Sequence, residues 1–280
     1  MANIIDAIIN LVENKIFDMK DINNQHNRAN SIGDSLEEYV KDLFAGTFNL
    51  NEVERQEKIS KTFSYLGNNS NPPDAMLKKG AAIEVKKIES DNSDIALNSS
   101  YPKHNLSVDN PSLTKYCKSA EDWEKKDMIY VVGVVKKKKL KHLTMVYGED
   151  YCASSEIYTS MKDKLKYSIE NTEGVEFSAT NEFGRVNKVD PLGITYLRIR
   201  GMWGISNPWK TFKYVYERDF GKEFNFMCII NNNKWLELSN KNELLNLAEK
   251  NKILKIEDIK IKNPNNPAKL KPAKLITFWI

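Results

Sequence analysis

One apolar segment that carries two charged residues at alternate positions places the strongest constraint on how this chain folds. Residues 81–88 read as a β-strand rich in alanine, isoleucine and valine. Side chains alternate across a strand, so Ile83 and Val85 share one face while Glu84 and Lys86 share the other. We predict that the first pair packs in a core and that the second pair projects an acid and an amine from one face.

Two further strands are predicted immediately before this segment. Residues 58–66 read as the first strand, and residues 72–77 follow it after a turn rich in glycine and asparagine. A second tight turn leads into residues 81–88, so the three strands form an antiparallel meander. Asp74 lies at the start of the middle strand, and antiparallel pairing brings its carboxylate beside Glu84.

This grouping of two carboxylates and one ammonium suits metal-assisted hydrolysis of a phosphodiester. Mg²⁺ takes oxygen ligands, and one or two protein carboxylates suffice because waters and phosphate oxygens fill its other positions. Lys86 is expected to position or deprotonate the attacking water, or to neutralise charge developing on phosphorus. The alternative is an edge strand with a surface glutamate and lysine, in which Asp74 caps a turn.

A helix that precedes the meander offers one more acid. Residues 32–44 show helical apolar periodicity, and Ser31 is a suitable N-cap residue. Glu37 lies beside the apolar stripe, from which its carboxylate can reach the same metal region. The competing interpretation is that Glu37 and its neighbour Glu38 are simply exposed helix formers.

The rest of the chain alternates between helical and extended patterns. Further helices are predicted at residues 3–16, 154–169 and 240–250, and further strands at residues 128–135, 142–147, 194–200 and 224–230. Residues 21–30 and 89–114 are polar and irregular, and residues 251–280 read as a basic tail. No repeat, long linker or change of composition divides the chain, so we predict a single domain over residues 1–280.

The distribution of charge points to a polyanionic partner. The chain has 42 basic and 38 acidic residues, a net charge of +4, and the acids are concentrated near the N-terminus. Only six of the basic residues are arginines, and three of them, Arg185, Arg198 and Arg200, lie close together. The arginine fork binds guanine or phosphate with two parallel hydrogen bonds, which lysine cannot do. Structural ion pairs, and solvated lysines such as Lys136–Lys139, are the alternative.

Several classes of protein are disfavoured. The longest apolar run, residues 130–135, is far shorter than the roughly 20 residues of a membrane helix. The N-terminal segment lacks the basic start of a signal peptide, so we expect a cytoplasmic location. The three cysteines and three histidines are scattered, without the spacing of a disulfide framework or a zinc site. Any metal site must therefore rest on carboxylates.

At this point the sequence shows a family resemblance. Pro73-Asp74 followed by Glu84-Val85-Lys86 resembles the PD-(D/E)xK nuclease motif. The whole chain is similar to type II restriction endonucleases of the NgoPII type. The segments that carry this similarity span most of the length: residues 3–9, 30–46, 71–76, 97–103, 127–133 and 197–203.

The resemblance implies an α/β fold of the mixed α+β kind, with a central mixed β-sheet flanked by helices. It implies Mg²⁺-dependent double-strand cleavage of DNA at the short palindrome GGCC, which leaves 5′-phosphate and 3′-hydroxyl ends. Asp74 and Glu84 would be metal ligands, Lys86 the catalytic lysine and Glu37 an auxiliary acid. The catalytic core would span about residues 31–150, and the recognition region about residues 180–215.

The resemblance also suggests which residues meet the DNA. Arg198 and Arg200 share a strand face and are the expected readers of guanine, with Arg185 a weaker candidate. Residues that follow the catalytic strand are expected to contact phosphates or bases: Asn98, Ser99, Ser100 and Lys103. A palindromic site suggests a homodimer, and a restriction enzyme implies a partner DNA methyltransferase that protects the host genome.

Two other functions fit the same residues. One is a repair, recombination or mobile-element nuclease of the same fold, which would read DNA structure rather than sequence. The other is a non-enzymatic basic DNA-binding protein.

Trp203 and Trp209, which flank the segment 204–208, are expected to pack in the core or an interface more than to stack on bases.

Overall fold

The helices and strands are taken from a computed structural model, which describes residues 1–19, 28–68, 70–180 and 183–280, without the side chains of residues 28–34. The helices are α1 (Ile4–Asn14), α2 (Arg28–Ala45), α3 (Glu52–Thr62), α4 (Lys115–Lys118), α5 (Gly148–Tyr151), α6 (Ser155–Glu170), α7 (Pro208–Thr211), α8 (Asn232–Glu237) and α9 (Lys241–Lys250). The strands are β1 (Phe63–Asn68), β2 (Asn71–Leu77), β3 (Ala82–Ile88), β4 (Ile95–Asn98), β5 (Asn105–Ser107), β6 (Lys125–Lys136), β7 (Lys139–Tyr147), β8 (Glu176–Ser178), β9 (Gly184–Asn187), β10 (Leu197–Ile199), β11 (Trp203–Ile205), β12 (Asn225–Asn231), β13 (Leu254–Asn263) and β14 (Asn266–Trp279). No helix among these is long and apolar enough to cross a membrane.

Over the described residues, the main sheet has nine strands and is mixed. Its order is β1-β2-β3-β6-β7-β12-β14-β13, with β5 paired to β6. The meander β1-β2-β3 is antiparallel, as predicted, and β3 then runs parallel to β6. The predicted central mixed sheet flanked by helices is therefore confirmed. Two small sheets stand apart from it, β10-β9-β8 and β11-β4.

The main sheet separates two apolar cores. On one side, α1, α2 and α9 pack against strand residues that include Ile83 and Val85 of β3. On the other side lie Met128 and Tyr130 of β6, covered by α5, α7 and the loops around them. Because side chains alternate along β3, Glu84 and Lys86 project toward this second side, as the sequence predicted.

The first predicted strand is partly wrong. Residues 58–62 belong to α3, and β1 begins only at Phe63. The reason is a capping box, in which the Asn51 side chain accepts the Glu54 backbone N–H and the Glu54 side chain accepts that of Asn51. Within residues 58–62 only Ile59 is buried, which suits one face of a helix better than a strand.

Other predicted boundaries also change. The helix α2 begins at Arg28, so Ser31 is not its N-cap. Of the predicted irregular stretches, residues 21–27 lie outside the described residues, residues 28–30 belong to α2, and residues 89–114 contain β4 and β5. Two short parts of other predicted segments, Asn69 of the first turn and residues 181–182 of the recognition region, also lie outside the described residues.

The predicted basic tail is a β-hairpin of the main sheet. Residues 251–280 contain β13 and β14, which pair along their length, and the C-terminal half of β14, Ala273–Trp279, also pairs with β12. Ile276 and Phe278 fill one core while Ala273 and Leu275 fill the other. The segment contains many lysines, so its sequence reads as polar. Its buried side chains nevertheless alternate between two faces, as in a strand buried on both sides.

Candidate active site

The strands β2 and β3 bring the predicted carboxylates together. Their register pairs Ala75 with Ile83 and Met76 with Ala82, which makes Asp74 and Glu84 the next facing positions. The Asp74 Oδ2 atom accepts the backbone N–H of Val85 at 2.6 Å. Asp74 and Glu84 both line one cavity of about 300 Å³.

Lys86 lies beside Glu84 in the same cavity. Its Nζ atom is 2.6 Å from Glu84 Oε1, and the two side chains are 25% and 18% exposed. Burial lowers the pKa of Lys86, but the negative charges of Glu84 and Asp74 outweigh it, so the pKa is raised above its ordinary value. The Lys86 ammonium therefore carries its proton at neutral pH.

The ionised form of Asp74 is disfavoured in this cluster. Burial, with the like charges of Glu84 and Glu37, raises its pKa to about 7, against the opposing effects of Lys86 and the Val85 N–H. A carboxylate with its charge disfavoured in this way gains from any cation that approaches it. The donor set therefore fits a divalent metal ion, although within the described residues no group of three acids, histidines or cysteines is arranged as a ready cage.

Helix α2 delivers Glu37 to the same cavity. Glu37 is half-buried and lines the cavity wall, and its charge contributes to the raised pKa of Asp74. Glu38 behaves differently, because it forms ion pairs with Lys41 and Arg55 away from this cluster. The structure thus places Glu37 in the cavity and Glu38 in ion pairs outside it, a difference that the sequence did not predict.

The loop that follows β3 forms another wall. The predicted DNA-contact residues Asn98, Ser99, Ser100 and Lys103 all line the cavity with Asp74, Glu84 and Lys86. Further polar residues that sequence reasoning missed complete the lining: Asn68, Ser70, Asn71, Asn110 and Ser112. They are neutral and lie in turns and loops or at strand ends, so neither charge nor periodicity marked them.

Two of the predicted arginines lie on a separate small sheet and the third follows it directly, and none of the three lines this cavity. Arg198 of β10 faces Arg185 of β9 in register. The Arg185 guanidinium lies 3.8 Å from the centroid of the Tyr196 ring. Arg200 follows β10 directly and is exposed, as are Arg185 and Arg198.

A two-stranded sheet links this arginine region to the cavity wall. In β11, which follows Arg200 closely, Trp203 pairs with Asn98 of β4. Trp203 is half-buried with its ring edge-on to Tyr101 and Tyr158, and Trp209 is buried. The predicted packing role of both tryptophans is therefore confirmed.

The lysine run 136–139 forms the β6–β7 turn, and all four lysines are exposed. Lys136 forms an ion pair with Asp91. Positive φ angles at Lys137 and Lys138 give the tight turn that the sequence predicted.

The mixed sheet and this carboxylate–lysine cavity are features expected of a restriction endonuclease. The chain belongs to the NgoPII restriction endonuclease family, whose model matches residues 2–262. It is 61% identical over 279 residues to the type II restriction enzyme NgoPII of Neisseria gonorrhoeae, which covers 99% of this chain and 100% of that relative. No solved structure matches the chain.

Family membership confirms the resemblance read from the sequence and makes this chain a site-specific deoxyribonuclease. It argues against both a non-enzymatic DNA-binding protein and a nuclease that reads only DNA structure.

Proposed function

We propose that this protein makes Mg²⁺-dependent double-strand cuts in DNA at the palindrome GGCC. The observation that carries the proposal is the convergence of Asp74, Glu84 and Lys86 on one cavity at one face of the sheet. The assignment of GGCC rests on the family to which the chain belongs.

In this proposal Asp74 and Glu84 hold the divalent ion, and Glu37 assists from α2. Burial and the negative charges of Glu84 and Glu37 raise the pKa of Asp74, so binding a cation relieves an unfavourable charge that already exists in the cluster. When bound, the ion supplies Lewis-acid stabilisation of the negative charge on the phosphate. Two protein carboxylates are the number that Mg²⁺ commonly uses in phosphate chemistry.

Lys86 acts in its charged form. Because its pKa is raised, the ammonium is a hydrogen-bond donor and not a base at neutral pH. It orients the attacking water and stabilises charge that develops on the phosphate. Its ion pair with Glu84 fixes the ammonium at the reaction centre before DNA arrives.

Recognition is assigned to the exposed arginines. Arg198 and Arg200 offer planar forks for guanine O6 and N7, with Arg185 a third donor on the facing strand. Asn98, Ser99, Ser100 and Lys103 contact the backbone near the cut. In this division, about residues 31–150 form the catalytic core and about residues 180–215 the recognition region of one domain.

The remaining parts of the proposal follow from the reaction. A palindromic site is read most simply by a homodimer with two-fold symmetry. A DNA methyltransferase of the same specificity is needed to protect the host chromosome. Because that chromosome is in the cytoplasm of a bacterium, the enzyme is assigned to the cytoplasm.

Digestion of a long DNA of known sequence with Mg²⁺, followed by sequencing of the fragment ends, tests the proposal. We expect discrete fragments whose ends fall within GGCC. Discrete fragments with other ends would reject GGCC alone. Random degradation, or intact DNA, would reject the proposed activity.

A further inference from the structure

Lys103 occupies an unusual place in the cavity. Its backbone N–H donates to the Tyr130 hydroxyl at 2.6 Å, and Tyr130 of β6 lies opposite Glu84 of β3 in register. This hydrogen bond fixes the loop that carries Lys103 directly over the catalytic strand. The side chain of Lys103 is half-buried in the cavity that also contains Glu84 and Lys86.

The Lys103 ammonium is held by an aromatic ring and not by an acid. Its Nζ atom lies 3.8 Å from the centroid of the Tyr101 ring. Among the described residues it forms no ion pair, although Glu84 and Lys162 are near enough for their charges to influence it. Lys103 therefore presents a partly desolvated positive charge to the cavity without a bound counter-charge.

Among the described residues, several other buried or half-buried lysines are paired with acids. Lys86 pairs with Glu84, Lys126 with Glu121, Lys234 with Asp127 and Lys271 with Asp150. Burial of a charge is unfavourable unless a partner compensates for it. Lys103 has no acid partner among the described residues and lies in a cavity whose proposed ligand is a polyanion, so a phosphate of that ligand can supply the compensating charge.

The ring beneath Lys103 is itself held firmly. Tyr101 stacks on Tyr158 of α6 with centroids 5.6 Å apart and an interplanar angle of 21°. The ring of Trp203 in β11 meets both tyrosines edge-on, at 6.2 Å from Tyr101 and 5.6 Å from Tyr158. We call Tyr101, Tyr158 and Trp203 the aromatic support, because it fixes the ring against which the ammonium lies.

We propose that Lys103 binds a phosphate of the DNA strand within the catalytic cavity, and that Tyr101 positions the ammonium for this contact. This inference rests on the proposed function of the cavity, which already places Lys103 near the DNA backbone, and adds the role of its charge and the ring that positions it. Lys86 is paired with Glu84 and acts on the reacting phosphate, whereas Lys103 neutralises the substrate in the ground state. Lys103 is therefore a binding residue, and Tyr101 is a positioning residue that acts through it.

The test compares Lys103→Met, which keeps length and removes charge, with Lys103→Arg, which keeps charge. Lys255→Met is the matched control, since Lys255 also lies over an aromatic ring, that of Trp279, far along the sheet. Binding of a short fluorescent duplex with a central GGCC is measured by anisotropy in EDTA over a series of salt concentrations. Steady-state KM and kcat are then measured with Mg²⁺.

Removal of one lysine–phosphate interaction reduces the slope of log K against log salt by about 0.9. We expect this change for Lys103→Met, with binding about tenfold weaker at low salt, KM raised to match and kcat nearly unchanged. Lys103→Arg should restore the slope, and Lys255→Met should leave it unaltered. An unchanged slope and affinity for Lys103→Met would overturn the proposal, as would a fall in kcat with unchanged binding.

A second pair of variants tests the aromatic support. Tyr101→Phe keeps the ring face and should bind DNA like the wild type, whereas Tyr101→Leu removes it and should weaken binding in the direction of Lys103→Met. Equal effects of both substitutions would reject the positioning role. If wild-type protein fails to cut DNA at all, the proposed function fails; if it cuts but Lys103→Met binds normally, only this inference fails.

Discussion

The Asp74 carboxylate accepts the backbone N–H of Val85 at 2.6 Å, and this contact ties the acid of β2 to the backbone of β3. Val85 packs in the core on the opposite side of the sheet from Glu84 and Lys86. The bond therefore connects a side chain of the cavity to a residue that cannot move without disturbing the core. This rigidity helps to keep Asp74 close to Glu84 despite their mutual repulsion.

That repulsion predicts a gain in stability when the charge is removed. Asp74 has a pKa of about 7 in the folded protein, against an ordinary value of 3.8, because of burial and the charges of Glu84 and Glu37. Because the folded protein binds the Asp74 proton more tightly than the unfolded chain does, protonation of Asp74 stabilises the fold. This stabilisation is complete below pH 3.8 and is lost as the pH rises through 7. Without divalent metal, Asp74→Asn should therefore be more stable than wild type at pH 8, by on the order of a few kcal/mol.

Urea unfolding of both proteins at pH 5 and pH 8 measures this difference. The advantage of Asp74→Asn should be clearly larger at pH 8. Asp258→Asn, which alters an exposed acid paired with Lys274, is the matched control and should show little effect. A less stable Asp74→Asn at pH 8 would mean that the cluster is not electrostatically strained.

The second prediction separates two neighbouring lysines. Lys86→Met removes the ammonium beside Glu84 and should lower kcat by about 10²–10³-fold, the usual effect of losing one charge-stabilising donor. Lys87→Met alters the next residue, whose ammonium pairs with Glu89, and should retain nearly full activity. Single-turnover cleavage at saturating enzyme measures both. Comparable rates for wild type and Lys86→Met would remove this lysine from the reaction.

The third prediction concerns recognition. Arg200→Lys and Arg198→Lys keep the positive charge but lose the fork, so each should weaken cognate binding by roughly 1–3 kcal/mol for every guanine that the fork reads. Binding to a scrambled duplex should hardly change, because phosphate attraction depends on charge. Competition between cognate and scrambled duplexes gives the ratio directly. If that ratio is the same as in wild type, these arginines do not read the bases.

The fourth prediction is a loss of stability in acid that arises away from the cavity. Burial and the nearby charge of Arg218 lower the pKa of His142 to about 4, although Asp91 Oδ1 lies 3.1 Å from its Nε2 atom. The folded state therefore resists protonation of His142, and stability that is present above pH 6.5 is lost as the pH falls toward 4. The loss should be on the order of 3 kcal/mol.

Replacement of His142 by glutamine should remove this component. Unfolding free energies measured between pH 8 and pH 4.5 should fall less steeply for His142→Gln than for wild type. Identical slopes would show that His142 does not contribute to the acid sensitivity.

Local periodicity was sufficient to predict much of the geometry of the candidate site. The alternation of Ile83, Glu84, Val85 and Lys86 predicted which face each side chain takes, and the short turn before β3 predicted its pairing with β2. Such features depend on residues that are close in sequence, so they are readable without tertiary information.

Long-range contacts were not readable in the same way. The pairing of Trp203 with Asn98 joins segments that are distant in sequence, and only the fold brings them together. The segment that forms β14 is rich in lysine and therefore reads as polar, although its buried residues pack in two different cores. The sequence did not distinguish Glu37 from Glu38, because the contacts of each side chain depend on which elements pack beside α2.

Cleavage by Asp74→Asn tests the central claim most directly, because this variant keeps the shape of the side chain and removes the charge proposed to hold the metal. It should bind the cognate duplex about as well as wild type and produce no cut in either strand, with Mg²⁺ or with Mn²⁺. Discrete cutting by Asp74→Asn at the wild-type rate would contradict the account, because the two carboxylates would then not be the metal site of this nuclease.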